Sequence, residues 1–283
     1  DHYNYFRSLL AERYQDGLDA LLERTLLFLT EAAGVPVLLS MLVLLFAEGE
    51  VDPRDLPADR LELYMHATRR VLERRCGSAD YVEAQAMLRN VALSNMRAKG
   101  RREFSSSDVR ETLGEGARKL WSRLEDEPQG VPLVKMLAAS VDGFFFGSPA
   151  QYQFRHLSFQ EGLCAAALLE ESSTWLSSSK RVKDMIAQTP NVLRIGGPRL
   201  LDKFPVELDL TGVGNAGIRL VGECLLAESA TCLQAVKAVK CDKFEVVLAE
   251  TSSLDLARKG IGADGAVLLG GVVKFMASLT SVR

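Results

Sequence analysis

Cysteine is scarce and unpatterned in this chain. Cys76, Cys164, Cys224, Cys232 and Cys241 form no CxxC pair and have no histidine at ligand spacing. That excludes a disulfide framework and a zinc site of recognisable spacing, and predicts free thiols of a reducing, cytoplasmic compartment. Histidine is scarcer still: His2, His66 and His156 have no serine, aspartate or cysteine partner in a recognisable motif, so no independent enzyme is predicted. An excess of one charge is also missing. With 34 basic against 37 acidic residues the net charge is −3, which predicts neither nucleic acid nor an acidic membrane as partner. The longest apolar run, residues 35–46, is about twelve residues, short of the roughly twenty that span a bilayer; it reads as a buried helix. No G-x-x-x-x-G-K-[ST] phosphate loop occurs, and Gly114, Gly116 and Lys119 share its composition but not its spacing. No strand ending in paired acids is visible either. Without that cradle, its lysine and magnesium ligands the chain alone is not expected to hydrolyse ATP. It opens at Asp1 with neither an initiator methionine nor a signal-peptide pattern, and reads as a portion of a longer protein.

Helical periodicity dominates the first half. Leu18, Leu21, Leu22, Leu26 and Leu29 make one apolar stripe over 14–29. Gly34 and Pro36 break it, and because a first helical turn tolerates proline, the next helix is predicted to begin near Pro36. A turn over 52–57 precedes a helix over 60–75 with Leu61, Tyr64, Met65, Thr68, Val71 and Leu72 inward. Its arginines, Arg69, Arg70, Arg74 and Arg75, read as a solvated face. Residues 77–80 are a boundary candidate. A further helix over 82–97 carries Met87, Leu88, Val91, Ala92 and Met96; residues 98–104 read as a basic loop. Ser105, Ser106, Ser107 and Asp108 offer N-caps for a helix to Leu113. Two aromatic strands, 143–146 and 151–154, read as a β-hairpin closed by a turn over 147–150. Helices, then a hairpin, then a helix is the order of a winged-helix module.

The stretch 152–170 (YQFRHLSFQEGLCAAALLE) organises that module. Tyr152 and Phe154 alternate as in a strand, and Ser158 with Glu161 has the spacing of a capping box. His156 then falls just outside the helix, at its positive end, where a side chain can help to hold a phosphate. The structural alternative is a partly buried histidine bonded to a carbonyl.

From Val206 onward the texture changes. Leu208-Asp-Leu210 and Leu254-Asp-Leu256 read as short strands, each followed by a glycine-containing turn and an apolar helix. Comparable positions at Leu208, Val236, Leu254 and Val282 lie 28, 18 and 28 apart. A strand and a helix per unit of twenty-odd residues predicts a leucine-rich solenoid, with the middle unit shortened.

With these residues in view, the chain resembles the NACHT group of STAND ATPases, the NOD-like receptors. Residues 34–40 (GVPVLLS) and 56–64 (LPADRLELY) resemble the helical domain that follows the nucleotide-binding core. Residues 101–104 (RREF) through 152–161 (YQFRHLSFQE), with the FxHxSFQE pattern, resemble the winged-helix domain. Residues 253–266 (SLDLARKGIGADGA) resemble a ribonuclease-inhibitor-type leucine-rich repeat. The resemblance implies a mainly α fold with an α/β C-terminus: a helical domain over 1–77, a winged-helix domain over 78–171, a connector over 172–205 and leucine-rich repeats over 206–283.

The resemblance also implies a switch. ADP would lock a closed state, His156 contacting its β-phosphate and Pro36 packing near its adenine, and exchange for ATP would permit oligomerisation. The nucleotide would belong to the intact parent, with none expected for this chain alone; the implied partners are an upstream NACHT core and a protein ligand on the repeats. The expected function is regulation and sensing in such a switch. The alternative is a protein–protein interaction scaffold whose winged helix is purely structural.

Overall fold

The computed structural model describes residues 57, 59–139, 149–170, 175–226, 236–256, 259–276 and 279–282. The expected helices over 14–29 and from Pro36, most of the 52–57 turn and the aromatic strand over 143–146 lie outside the described residues. The described chain is mainly helical with three small sheets. It divides into two compact units, one of residues up to 91 with 102–163, the other of 92–101 with the chain from 164 onward.

Helix α1 (Arg60–Arg97) begins where the Asp59 carboxylate accepts the Glu62 N–H at 2.9 Å, an N-cap that satisfies one of the orphan donors of the first turn. It kinks at Gly77, which takes φ 77°, a left-handed value that glycine reaches without strain, and continues through residues 77–80. Before the kink Leu61, Tyr64, Ala67, Thr68 and Leu72 are buried; after it Ala84, Met87, Leu88, Val91 and Met96 are. The three- and four-residue spacing predicted most of these positions; Met65 and Val71, expected inward, are half-buried, and Leu63 is fully buried in their stead. Arg75 is not simply solvated: its guanidinium donates to the Gln129 and Gly130 carbonyls at 3.0 and 3.1 Å.

In the first unit, strand β1 (Glu103–Ser105) arises at the end of the stretch read as a basic loop. Its partner supplies the missing signal, since three residues gain a ladder only by pairing with a distant strand. Ser105 ends the strand and caps helix α2 (Ser106–Thr112) in a full capping box with Asp108. Helix α3 (Glu115–Asp126) turns Leu120, Trp121 and Leu124 inward. Strands β2 (Val134–Ala138) and β3 (Gln151–Phe154) complete an antiparallel sheet in the order β1-β3-β2. Met136 faces Tyr152 across that ladder, and a bulge follows before Ala138. Helix α4 (Leu157–Glu170) leaves β3 after two residues.

In the second unit the buried Cys164 thiol lies 3.3 Å from the Met96 sulfur. Helices α5 (Ser179–Gln188) and α6 (Pro190–Gly196) and a 3-10 turn (Gly197–Lys203) occupy a stretch without clear sequence periodicity. Pro190 starts a new helix one residue after the last, and this closely spaced restart breaks up the repeat pattern. Strand β4 (Glu207–Asp209), helix α7 (Asn215–Leu226) and strand β5 (Ala238–Lys240) form a parallel βαβ unit with Leu208 opposite Val239. The partner of Leu208 is thus 31 residues on, at Val239 rather than Val236. The short interval counted from the sequence holds an extra strand, β6 (Glu245–Val247), antiparallel to β5. Strand β7 (Ser253–Leu254), helix α8 (Ala263–Val273) and strand β8 (Ser281–Val282) repeat the parallel arrangement, with Leu254 opposite Val282 as the spacing predicted. Helices α7 and α8 approach so closely that a Cβ on Gly222 would lie 2.5 Å from the Leu268 backbone nitrogen.

Candidate functional site

Four rings fix the strand that leads to His156. Phe104 sits 6.2 Å from Tyr152 and 5.8 Å from Phe154, and Trp121 meets Tyr152 edge-on at 5.5 Å. Such pairs add about 0.5–1.5 kcal/mol each beyond their buried area. The Arg155 N–H then donates to the Leu133 carbonyl at 2.7 Å, which ends the strand against the start of β2.

His156 follows, and its position differs from the expectation. The helix starts at Leu157, so Ser158 lies inside the first turn and His156 takes the position before it. Its carbonyl accepts the Phe159 N–H at 3.1 Å. Its Nδ1 receives the Ser158 N–H at 3.3 Å and lies 2.6 Å from the Ser158 Oγ. The imidazole, not the serine hydroxyl, therefore serves the orphan donor, and Ser158 is not the cap. An imidazole nitrogen can do this because its unprotonated lone pair is as good an acceptor as an oxygen. Nor is the ring sunk in the interior: His156 is exposed, while Ser158 is 9% and Glu161 6% exposed. A second partner reaches Ser158 from helix α1, the hydroxyl of Tyr64, whose pKa burial pushes above the ordinary tyrosine value. The Tyr64 ring is held edge-on to Phe159 at 6.2 Å and lies so close to Gly162 that a Cβ there would be 2.8 Å from its Cγ. Pro36, the other expected site residue, lies outside the described residues.

A second cluster, not anticipated from the sequence, centres on Glu125. Its carboxylate accepts the Tyr152 hydroxyl at 2.5 Å and the Ser106 hydroxyl at 2.7 Å, and Arg110 approaches its other oxygen at 3.3 Å. Burial pushes this carboxyl up, but the Tyr152 and Ser106 hydrogen bonds and the Arg110 charge bring it net below the usual value. Burial and the same carboxylate push Tyr152 up to about 12. The cluster borders an open cleft of about 610 Å³ that Arg118, Glu111 and Asp126 also line. Charges of both signs line this cleft, and no single ligand charge complements them. The signal in the sequence was the place of Glu125 on α3, one residue after the buried Leu124 and four after the buried Trp121.

The turn after β4 reads Gly212-Val213-Gly214-Asn215-Ala216-Gly217, the G-x-G-x-x-G spacing that cradles a pyrophosphate between a strand and a helix. Gly212 and Gly214 take φ +76° and +81°, and a Cβ on Gly217 would meet Ile186 at 2.6 Å. The Gly212 N–H, however, already donates to both oxygens of Asp242 at 3.2 Å. An anion from outside would have to displace a carboxylate of the chain itself. Nearby, Asp209 binds Thr211 and Lys183, and these hydrogen bonds hold its carboxyl well below the usual range.

Cys76, Cys164, Cys224 and Cys241 are free thiols. Among the described residues no group of histidine, cysteine and carboxylate side chains could hold a metal, and no helix is long and apolar enough to cross a membrane. No family model matches the chain, and neither a curated protein nor a solved structure matches it.

Proposed function

We propose that this chain is the regulatory and sensing portion of a NACHT-type STAND switch, with His156 turned toward the phosphates of an ADP held by an upstream nucleotide-binding core. The observation that carries the reading is the His156 ring. It is exposed at the mouth of α4, its Nδ1 is taken by Ser158, and among the described residues its Nε2 has no partner. A nitrogen so placed is a hydrogen-bond donor at the positive end of a fourteen-residue helix, which suits an anion.

In this reading α2, α3 and the β1-β3-β2 sheet, followed by α4, are the winged-helix module. The two βαβ units with Leu208 and Leu254 on their first strands are leucine-rich repeats that bind a protein partner. Pro36 packs near the adenine, and ATP in place of ADP releases the module for oligomerisation in the cytoplasm. The chain itself carries out no phosphoryl transfer, since it has no phosphate loop.

The test is made in a chain that includes the nucleotide-binding core. A hydrogen bond to a charged oxygen is worth about 1.5–3 kcal/mol, so His156→Ala should weaken ADP binding roughly ten- to a hundredfold and relieve autoinhibition. Unchanged ADP affinity would remove the sensing role. Because the His156 ring also caps α4, a scaffold with a purely structural winged helix remains the second reading; it predicts that His156→Ala lowers stability by about 1 kcal/mol and leaves ADP affinity alone.

A further inference from the structure

We infer that Ser158, backed by Tyr64, is a positioning residue that holds the His156 ring in one tautomer, with the proton on Nε2 and the lone pair of Nδ1 turned inward. The inference rests on the proposed role of His156, and it specifies what that role requires: a hydrogen-bond donor, fixed in direction, for an anionic oxygen.

Three observations converge. A backbone N–H can only donate, and the Ser158 N–H points at Nδ1 from 3.3 Å. A proton on Nδ1 would bring two donors face to face, so Nδ1 carries the lone pair. The Ser158 hydroxyl, 2.6 Å from the same nitrogen, adds a second donor provided its single hydrogen points that way. The third is the burial of that hydroxyl: a Cβ on Gly162 would lie 2.8 Å from the Tyr64 Cγ, so Tyr64 packs closely over the first turn of α4 and leaves Ser158 9% exposed. Turned away from water, the serine hydroxyl has the exposed His156 ring as its near acceptor.

The tautomer is read directly, without any nucleotide. Long-range proton–nitrogen correlation spectra of the ring nitrogens are recorded on the chain at a pH where imidazole is neutral, with His156→Gln assigning the signal. The wild type should show the Nε2-protonated form. Ser158→Ala should raise the Nδ1-protonated fraction roughly fivefold, the weight of one neutral hydrogen bond of about 1 kcal/mol. The wild-type spectrum decides the matter if Ser158→Ala does not fold, because the Ser158 N–H alone requires the lone pair on Nδ1. An Nδ1-protonated wild type overturns the inference, as does a wild-type tautomer ratio in folded Ser158→Ala. The ADP titration separates the two claims. A tautomer shift together with an unchanged ADP affinity in His156→Ala keeps the positioning role and discards the sensor; the opposite pair of results discards the positioning role alone.

Discussion

Removing the Glu125 carboxylate should destabilise the first unit by about 2–3 kcal/mol. The figure follows from what Glu125→Ala leaves behind. Ser106 and Tyr152 are 7% and 4% exposed, and the hydroxyls of both end on the Glu125 Oε1. Stranding a buried donor costs about 1–3 kcal/mol. Here the lower end applies, because the side chain lines an open cleft through which water can replace part of the carboxylate. The Arg110 contact adds no more than about 0.5 kcal/mol, since that arginine is 54% exposed. Tyr152→Phe removes one charge-assisted bond and should cost about 1.5 kcal/mol, the low end for a bond to a charged oxygen. In the double variant no tyrosine hydroxyl is left stranded, so the two costs should fall short of their sum by about 1 kcal/mol. Urea unfolding followed by Trp121 fluorescence in a Trp175→Phe background reads the first unit alone, because Trp121 is fully buried there, in contact with Tyr152. The comparison is of midpoints at unchanged slope. Additivity within about 0.5 kcal/mol, or a Glu125→Ala cost below that value, refutes the reasoning.

The same carboxylate sets a pH dependence. Its folded value lies below the ordinary unfolded value of about 4.3, so its contribution is complete above that value and is lost as pH falls through the depressed folded one. Acid unfolding of Glu125→Gln should therefore be shallower than that of the wild type over this range, while both curves run parallel near neutrality. In the second unit, Gly222→Ala sets a Cβ 2.5–2.7 Å from backbone atoms of Val267 and Leu268, which no rotamer change relieves. Overpacking of this kind costs about 1–3 kcal/mol; a variant as stable as the wild type in thermal unfolding would show that α7 and α8 are not in the contact described. The Cys224 thiol is buried and pushed up to about 12 by that burial, so a thiol reagent at neutral pH should label it only at the rate of unfolding. Labelling as fast as that of the half-buried Cys76 would contradict its burial.

Much of the local structure is legible in the residues because its physics is local. The stripes of α1, the glycine at its kink, the serine cap before α2 and the strands at Leu208, Leu254 and Val282 all follow from spacing, capping and backbone freedom within a few residues. The place of His156 at the start of α4 is legible for the same reason, although its exposure was not, and the pattern of Ser158 and Glu161 placed the cap two residues late. A histidine can itself accept the orphan N–H, and no pattern limited to oxygen side chains allows for that.

Only the tertiary structure decided the rest. β1 exists because β3 lies beside it, and the middle interval between the C-terminal strands is short because a hairpin strand fills it. Glu125 meets Ser106, Arg110 and Tyr152 across 19, 15 and 27 residues, and Tyr64 comes to Ser158 from another helix. Sequence spacing encodes what neighbours along the chain can do for one another. It does not encode which distant donor arrives at a given acceptor, since that depends on how closely two elements approach, and here a single missing Cβ at Gly162 sets the approach.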